Sequence, residues 1–297
     1  MNTARTGKKW PYLLILPSLV ALALILGYPI FKLINLSLQK YGLFEIIAGR
    51  GKFVGLKNFI ETFHDPEFWN VLIRTLLFTA GIVTVSITVG AILAHLMVKM
   101  HPVIRRTLNV VLIMVWAMPQ LVAISVWRWI FSFDFSIVTS TANNLGFHME
   151  KHNYFTNVLS GFTIIGGCVC WGALPFITIS IYAALTQVPK ELLEAAAIDG
   201  ATPRQIFRNI TLPLLLPVYI ILISLSVIWD FQIFSHIWIF LDGRPPASYF
   251  TIAVYAFEKS FGLSEYGKGA AISIVMIVIL IALTGSYLRR MMKMGDE

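Results

Sequence analysis

Residues 187–241 read QVPKELLEAAAIDGATPRQIFRNITLPLLLPVYIILISLSVIWDFQIFSHIWIFL, a charged half running directly into an apolar half. From Leu214 to Leu241 the only formal charge is Asp230, and the run exceeds the roughly 20 residues a helix needs to cross a bilayer. Lipid cannot hydrogen-bond an open backbone, so this run is expected as a transmembrane helix. The charged half carries its own punctuation. Pro189 suits the first turn of a helix, Glu191 and Glu194 sit near that N-terminus where the dipole favours carboxylates, and Ala195, Ala196 and Ala197 propagate it. Gly200 can close this helix. Thr202 can then cap a second one, with Pro203 at its first position and Gln205 three residues after the cap. The expectation is a helix, turn, helix elbow over 187–212 that leads into a membrane span.

Working outward, five more apolar stretches are long enough to span. With the first they lie at about 12–38, 71–98, 108–133, 158–185, 214–241 and 269–288. Hydrophobic residues make up 57 % of the 297 and charged residues only 13 %, which sets the chain apart from water-soluble domains. The reading is an all-α membrane protein with six transmembrane helices. Residues 1–11 form a short N-terminus, 12–290 the transmembrane domain and 291–297 a tail. The basic start followed by an apolar run resembles a signal peptide, but no small-residue cleavage region follows, so the segment is read as a span that stays.

The net charge of +8 does not indicate nucleic acid, because Lys and Arg sit in short clusters between apolar runs. Twelve of them flank the spans on one side: Arg5, Lys8, Lys9, Lys99, Arg105, Arg106, Lys190, Arg204, Arg208, Arg289, Arg290 and Lys293. The other side has seven over longer loops: Lys40, Arg50, Lys52, Lys57, Lys151, Arg244 and Lys259. The positive-inside rule therefore places both termini and the elbow in the cytoplasm. The outer loops, 41–69, 134–157 and 242–266, are expected to form short interfacial helices, with Phe63, Phe68 and Trp69 as anchors. Cys168 and Cys170 are two apart in an apolar stretch, point in different directions on a helix, and read as small core residues.

Polar groups inside spans are costly and identify function or structure one by one. Lys32, Arg74 and Lys268 lie near span ends and can snorkel. Arg128, between Trp127 and Trp129, is expected against an indole or an interfacial phosphate. Asp230 falls near the middle of its apolar run and should face the bundle interior. On a helix Ser226, Trp229, Asp230 and Ile233 share a face, joining an indole and a hydroxyl to a carboxylate in a pattern suited to a sugar. Gln232 and His236 lie on other faces and are expected to stabilise helix contacts, while Pro119 and Gln120 are candidates for lining the path.

Glu194, Ala195, Ala196, then Asp199 and Gly200, then Ile210, Leu212 and Pro213 together resemble the EAA loop of binding-protein-dependent ABC importers. The resemblance extends to PYLLILPSLVALALILGYPI at 11–30 and FVGLKNFIETFHDPEFWNVLIRTLLFT at 53–79, which are similar to the MalF-like sugar permease branch. It implies the type I ABC importer permease fold and a place in the bacterial cytoplasmic membrane. It also implies a second, MalG-like permease subunit, two ATPase subunits or a homodimer of them, an extracellular sugar-binding protein, and a sugar cargo crossing by alternating access. ATP and Mg would reside on the ATPase, none in this chain, whose role is transport and not catalysis. By the same resemblance Glu191, Glu194, Ala195, Ala196, Asp199, Gly200, Arg204 and Phe207 couple to the ATPase. Ser226, Trp229, Asp230 and Ile233, with Val169, Gly172, Ala173 and Phe176 beside Pro175, match positions that touch sugar. Val169 and Ile233 are apolar where the maltose-type pattern has amides, so the pocket departs from that pattern.

The chain has no GxxxxGK[ST] phosphate loop, triad spacing or metal-ligand cluster. Alternative readings are an importer of a glycerol phosphate or a polyol, a proton-coupled secondary carrier using Asp230, and a membrane-embedded sensor. A phosphate cargo would need more positive charge than this chain places in the pocket, unless the partner permease supplies it, and a secondary carrier has no use for the elbow.

Overall fold

The structure, a computed structural model, describes residues 10–133, 136–147 and 153–295, with side chains described between 14 and 285. Arg5, Lys8, Lys9, Lys151 and the side chains of Arg289, Arg290 and Lys293, on which part of the expected charge asymmetry rests, lie outside the described residues. Five helical segments among the described residues are long and apolar enough to cross a membrane: Leu14–Ser37, Pro66–Lys99, Val158–Thr186, Pro203–Phe231 and Tyr266–Gly285. A bent pair, Pro102–Ala117 with Gln120–Ile130, makes a sixth.

The chain divides into two compact units, 1–68 with 255–278, and 69–254 with 279–297. In the first, α1 (Trp10–Leu22) continues through a π turn (Ala23–Gly27) into α2 (Tyr28–Ser37). A two-residue antiparallel pair, β1 (Gln39–Lys40) with β2 (Lys52–Phe53), encloses α3 (Leu43–Ile47), and α4 (Lys57–His64) follows. The Asn58 amide donates to the carbonyls of Ser37 and Gln39, both at 2.8 Å, which ties α4 to the end of the first span. Phe68 is fully buried and packs edge-on against Phe63, so only Phe63 keeps the exposure expected of an interfacial anchor in this unit.

In the second unit lie α5 (Pro66–Lys99, from Trp69), α6 (Pro102–Ala117), α7 (Gln120–Ile130), α8 (Ile137–Asn144), α9 (Val158–Thr186), α10 (Lys190–Ile198), α11 (Pro203–Ile206), α12 (Leu212–Phe231) and α13 (Ser235–Phe240). The short α14 (Ile252–Phe257) and the long α15 (Tyr266–Gly295) are shared between the units. Both α6 and α12 pack on α9, and Ala94, Ile177, Ile181 and Leu222 form a buried cluster. Ile82, Val169 and Ile233 form a second. Arg74 donates to the carbonyls of Ala247 and Phe250, a structural role consistent with its place near a span end. The segments 41–69, 134–157 and 242–266 contain the short helices α3, α4, α8 and α14.

Two expected spans are interrupted. The third is two helices meeting at 98°, because Pro119 lacks an N–H and drives the preceding Met118 out of the helical region, to φ −69° and ψ 131°. The fifth stops at Phe231, and Gln232–Phe234 leave the helix before α13 restarts it. At its other end the same helix starts earlier than expected, at Pro203, since α11, a π turn (Phe207–Thr211) and α12 run on without a break.

Candidate translocation cavity and coupling elbow

The two interruptions face one cavity. It has a volume of about 410 Å³ and lies between the α6–α7 bend, the middle of α9 and the α12–α13 break. From α9 come Val169, Gly172, Ala173 and Phe176, whose spacing of three and four places them on one helical face. A Cβ built on Gly172 would meet nothing within 4 Å, so this stretch of the wall is bare backbone. The α6–α7 bend contributes Trp116, Met118 and Gln120, and the α12–α13 break contributes Trp229, Asp230, Gln232, Ile233, Phe234, Ser235 and His236. Trp171 and Cys168 complete the α9 side, and Cys170 turns away to donate its thiol to the Ile82 carbonyl at 3.7 Å.

The cavity brings together Val169, Gly172, Ala173, Phe176, Trp229, Asp230 and Ile233 of the expected pocket. Ser226 is not on the wall. It lies one turn before Asp230 within α12 and is buried. The break also brings Ile233 to the wall through a turn rather than a helical face, and adds Gln232 and His236, which helical geometry assigned to other faces. Asp230 itself sits one residue before the end of α12, not at its middle. It is 7 % exposed, and among the described residues its carboxylate has no hydrogen-bond or ion-pair partner. Beside it the half-exposed Trp229 indole meets the Phe176 ring edge-on at 5.6 Å. An open apolar wall, an aromatic platform and an unpartnered carboxylate can hold a hydroxyl-rich ligand by stacking and by accepting its hydrogen bonds.

The elbow forms as its residues dictate. Pro189 caps α10, and Gly200, at φ +83°, closes it with the paired bonds of a Schellman motif: Ala201 N–H to the Ala196 carbonyl at 2.9 Å and Gly200 N–H to the Ala197 carbonyl at 3.1 Å. Thr202 and Gln205 then form a reciprocal capping box, with the Thr202 N–H donating to Gln205 Oε1 at 2.7 Å. Glu191, Glu194, Asp199, Arg204 and Arg208 are exposed, as is Ile198, at 86 %. Among the described residues none of these charges has an ion-pair partner. Phe207, in the π turn, lies edge-on to His95 of α5 at 5.4 Å, so the elbow is braced against the second span. Arg128, expected on an indole or a phosphate, pairs instead with Asp242.

Residues 86–293 match the family described as the binding-protein-dependent transport system inner membrane component. The chain belongs to this family. The permease is similar along its length to several characterised proteins. It is 35 % identical to the diacetylchitobiose uptake system permease protein DasB of Streptomyces coelicolor, over 99 % of this chain and 90 % of that one. It is 30 % identical to the trehalose/maltose transport system permease protein MalF of Thermococcus litoralis, over 95 % and 93 %. It is also 30 % identical to the sulfoquinovosyl glycerol transport system permease protein SmoG of Agrobacterium fabrum, over 93 % and 88 %. A solved bacterial alginate ABC transporter, in complex with its alginate pentasaccharide-bound periplasmic protein, has a chain of the same fold, with a TM-score of 0.78 at 18 % identity over 94 % of the permease and 93 % of that chain. The permease is thus a multi-pass transport subunit of an ABC system rather than an enzyme.

Proposed function

We propose that the permease carries a sugar across the cytoplasmic membrane by alternating access, driven by ATPase subunits that dock on the elbow at residues 187–212. The observation that carries the reading is continuity. One helix of 29 residues runs from Pro203, in the elbow, to Phe231, beside the cavity, a length of about 43 Å. A displacement of the elbow is a displacement of Trp229 and Asp230. The π turn at Phe207–Thr211 lies along it without interrupting it, and such turns recur at functional sites.

Docking suits the elbow's surface, where small Ala195 and Ala196 next to a glycine turn admit close approach and Glu191, Glu194, Asp199 and Arg204 can set register. The sugar reading draws on the named cargoes of the related permeases, diacetylchitobiose, trehalose or maltose, and sulfoquinovosyl glycerol. In this scheme a second permease completes the path, a binding protein delivers cargo on the outer side, and both termini lie with the elbow in the cytoplasm. ATP and Mg stay on the partner ATPase. The chain's own contribution is to bind cargo at Val169, Gly172, Ala173, Phe176, Trp229, Asp230 and Ile233, and to move that wall with the elbow.

The test is purification of the permease from its native membrane in mild detergent, followed by mass spectrometry and reconstituted uptake. Co-purification of a second six-span protein and a Walker-motif ATPase, with ATP-dependent sugar uptake, is expected. A chain that emerges without an ATPase and still transports would overturn the reading in favour of a secondary carrier.

A further inference from the structure

We infer that the permease cavity sorts sugars by charge, accepting neutral or amine-bearing sugars and rejecting acidic ones. This rests on the sugar-transport reading above and narrows it. The wall carries one carboxylate, Asp230, and among the described residues lining the cavity there is neither a lysine nor an arginine. The carboxylate is 93 % removed from solvent, unpartnered, and on the cavity wall. The same wall carries indoles and phenyl rings, Trp116, Trp171, Trp229, Phe176 and Phe234, which lower the dielectric of the cavity and give a like charge little screening.

A uronate, sulfonate or phosphate entering this space sheds water and finds no lysine or arginine on this wall to replace it, because the side-chain donors there are the Gln120 and Gln232 amides, the Ser235 hydroxyl, the His236 imidazole and the indole N–H groups. A second negative charge beside an unpaired carboxylate adds direct repulsion. A neutral sugar meets neither obstacle. Its hydroxyls donate to Asp230 and its apolar ring faces stack on the indoles. An amino group on the sugar ring supplies the cation that Asp230 lacks, and the bond becomes charge-assisted. The cations that the sequence does place near this region are engaged elsewhere: Arg128 pairs with Asp242 and Arg74 with backbone carbonyls.

The experiment uses the complete transport complex purified from native membrane, reading quenching of tryptophan fluorescence by three β-1,4-linked disaccharides: diacetylchitobiose (neutral), chitobiose (amine-bearing) and dimannuronate (acidic). Dimannuronate is expected to bind at least about tenfold more weakly than the other two. In Asp230→Asn, which keeps the shape and removes the charge, that ratio is expected to fall severalfold. Gln232→Lys, at an exposed position of the wall, is the second variant and should raise dimannuronate affinity even if Asp230→Asn does not assemble. Equal wild-type affinity for all three sugars, or a penalty on dimannuronate that survives both substitutions, would overturn the charge inference and leave the sugar cavity standing. Absence of quenching by any of the three would overturn the sugar cavity itself.

Discussion

Arg128, on the last turn of α7, forms an ion pair with Asp242, on the turn that follows α13. The two helices pack together, and each supplies part of the cavity wall, Gln120 and Ala123 from α7, Ser235 and His236 from α13. The pair therefore fastens two walls at one end. Because the side chains are 42 % and 71 % exposed, removing it should change stability by no more than about 1 kcal/mol. Its expected effect is on coupling. Asp242→Asn is the clean probe, since asparagine tolerates the φ of +57° at this position. Cargo-free ATPase activity should rise and cargo uptake should fall, with Arg128→Gln behaving alike and Arg128→Lys largely retaining function. If Gln and Lys at 128 give the same rates, the pair has no part in coupling.

Gly200 has open space around it but a left-handed backbone, so the cost of substitution lies in conformation, not in crowding. An L side chain there costs about 1–2 kcal/mol, which one exposed turn can relieve by changing its angle. Gly200→Val is expected to leave the permease inserted and the cavity intact, yet reduce ATPase co-purification severalfold, while Gly200→Asn should retain most of it. Pull-down of the ATPase from membranes carrying each variant measures this, and equal recovery with valine would remove the turn from the docking surface.

How far these features were legible depends on the range of the interactions that make them. The elbow is local. Pro189, Gly200, Thr202 and Gln205 each act within a few residues, so its caps and turn follow from the sequence. The spans follow from composition. What spacing could not show was where a span breaks: Pro119 was visible as a proline, yet prolines 175 and 217 sit inside unbroken helices. The end of α12 at Phe231 has no proline or glycine to mark it. That break brings Gln232 and His236 onto the cavity wall. The Arg128–Asp242 pair joins residues 114 apart, and nothing local to either announces the other.

The contrast between Ser226 and Trp229 separates a cavity from a helical face. Trp229 lines the cavity and meets Phe176, whereas Ser226 is buried away from it. Trp229→Ala should weaken sugar binding to the complex by roughly 2- to 13-fold, the equivalent of about 0.5–1.5 kcal/mol of aromatic contact. Ser226→Ala should leave sugar affinity within about twofold. Titration calorimetry on the reconstituted complex reads both, and a loss at Ser226 equal to that at Trp229 would return Ser226 to the sugar site.

In the first unit, Asp65 accepts the Tyr255 hydroxyl at 2.7 Å and the Glu67 backbone N–H at 2.9 Å, with Lys259 at 3.7 Å. Burial works to raise the Asp65 pKa, but the Tyr255 and Glu67 hydrogen bonds and the Lys259 charge together outweigh it and hold the carboxyl below its usual value. A carboxyl lowered in the folded state stabilises the fold above its unfolded pKa, and this contribution is lost as pH falls through the folded value. The same contact pushes the Tyr255 hydroxyl upward, after burial, so the tyrosine stays protonated and donating across the whole range. The junction of α4 with α14 should therefore loosen only in acid, below the ordinary carboxylate range. Hydrogen exchange at residues 57–67 and 252–262 is expected to accelerate there in the wild type. In Asp65→Asn it should be faster already at neutral pH and nearly flat through the acid range, and in Tyr255→Phe the acid transition should move to higher pH. An Asp65→Asn profile as steep as the wild type would show that another group controls the acid response.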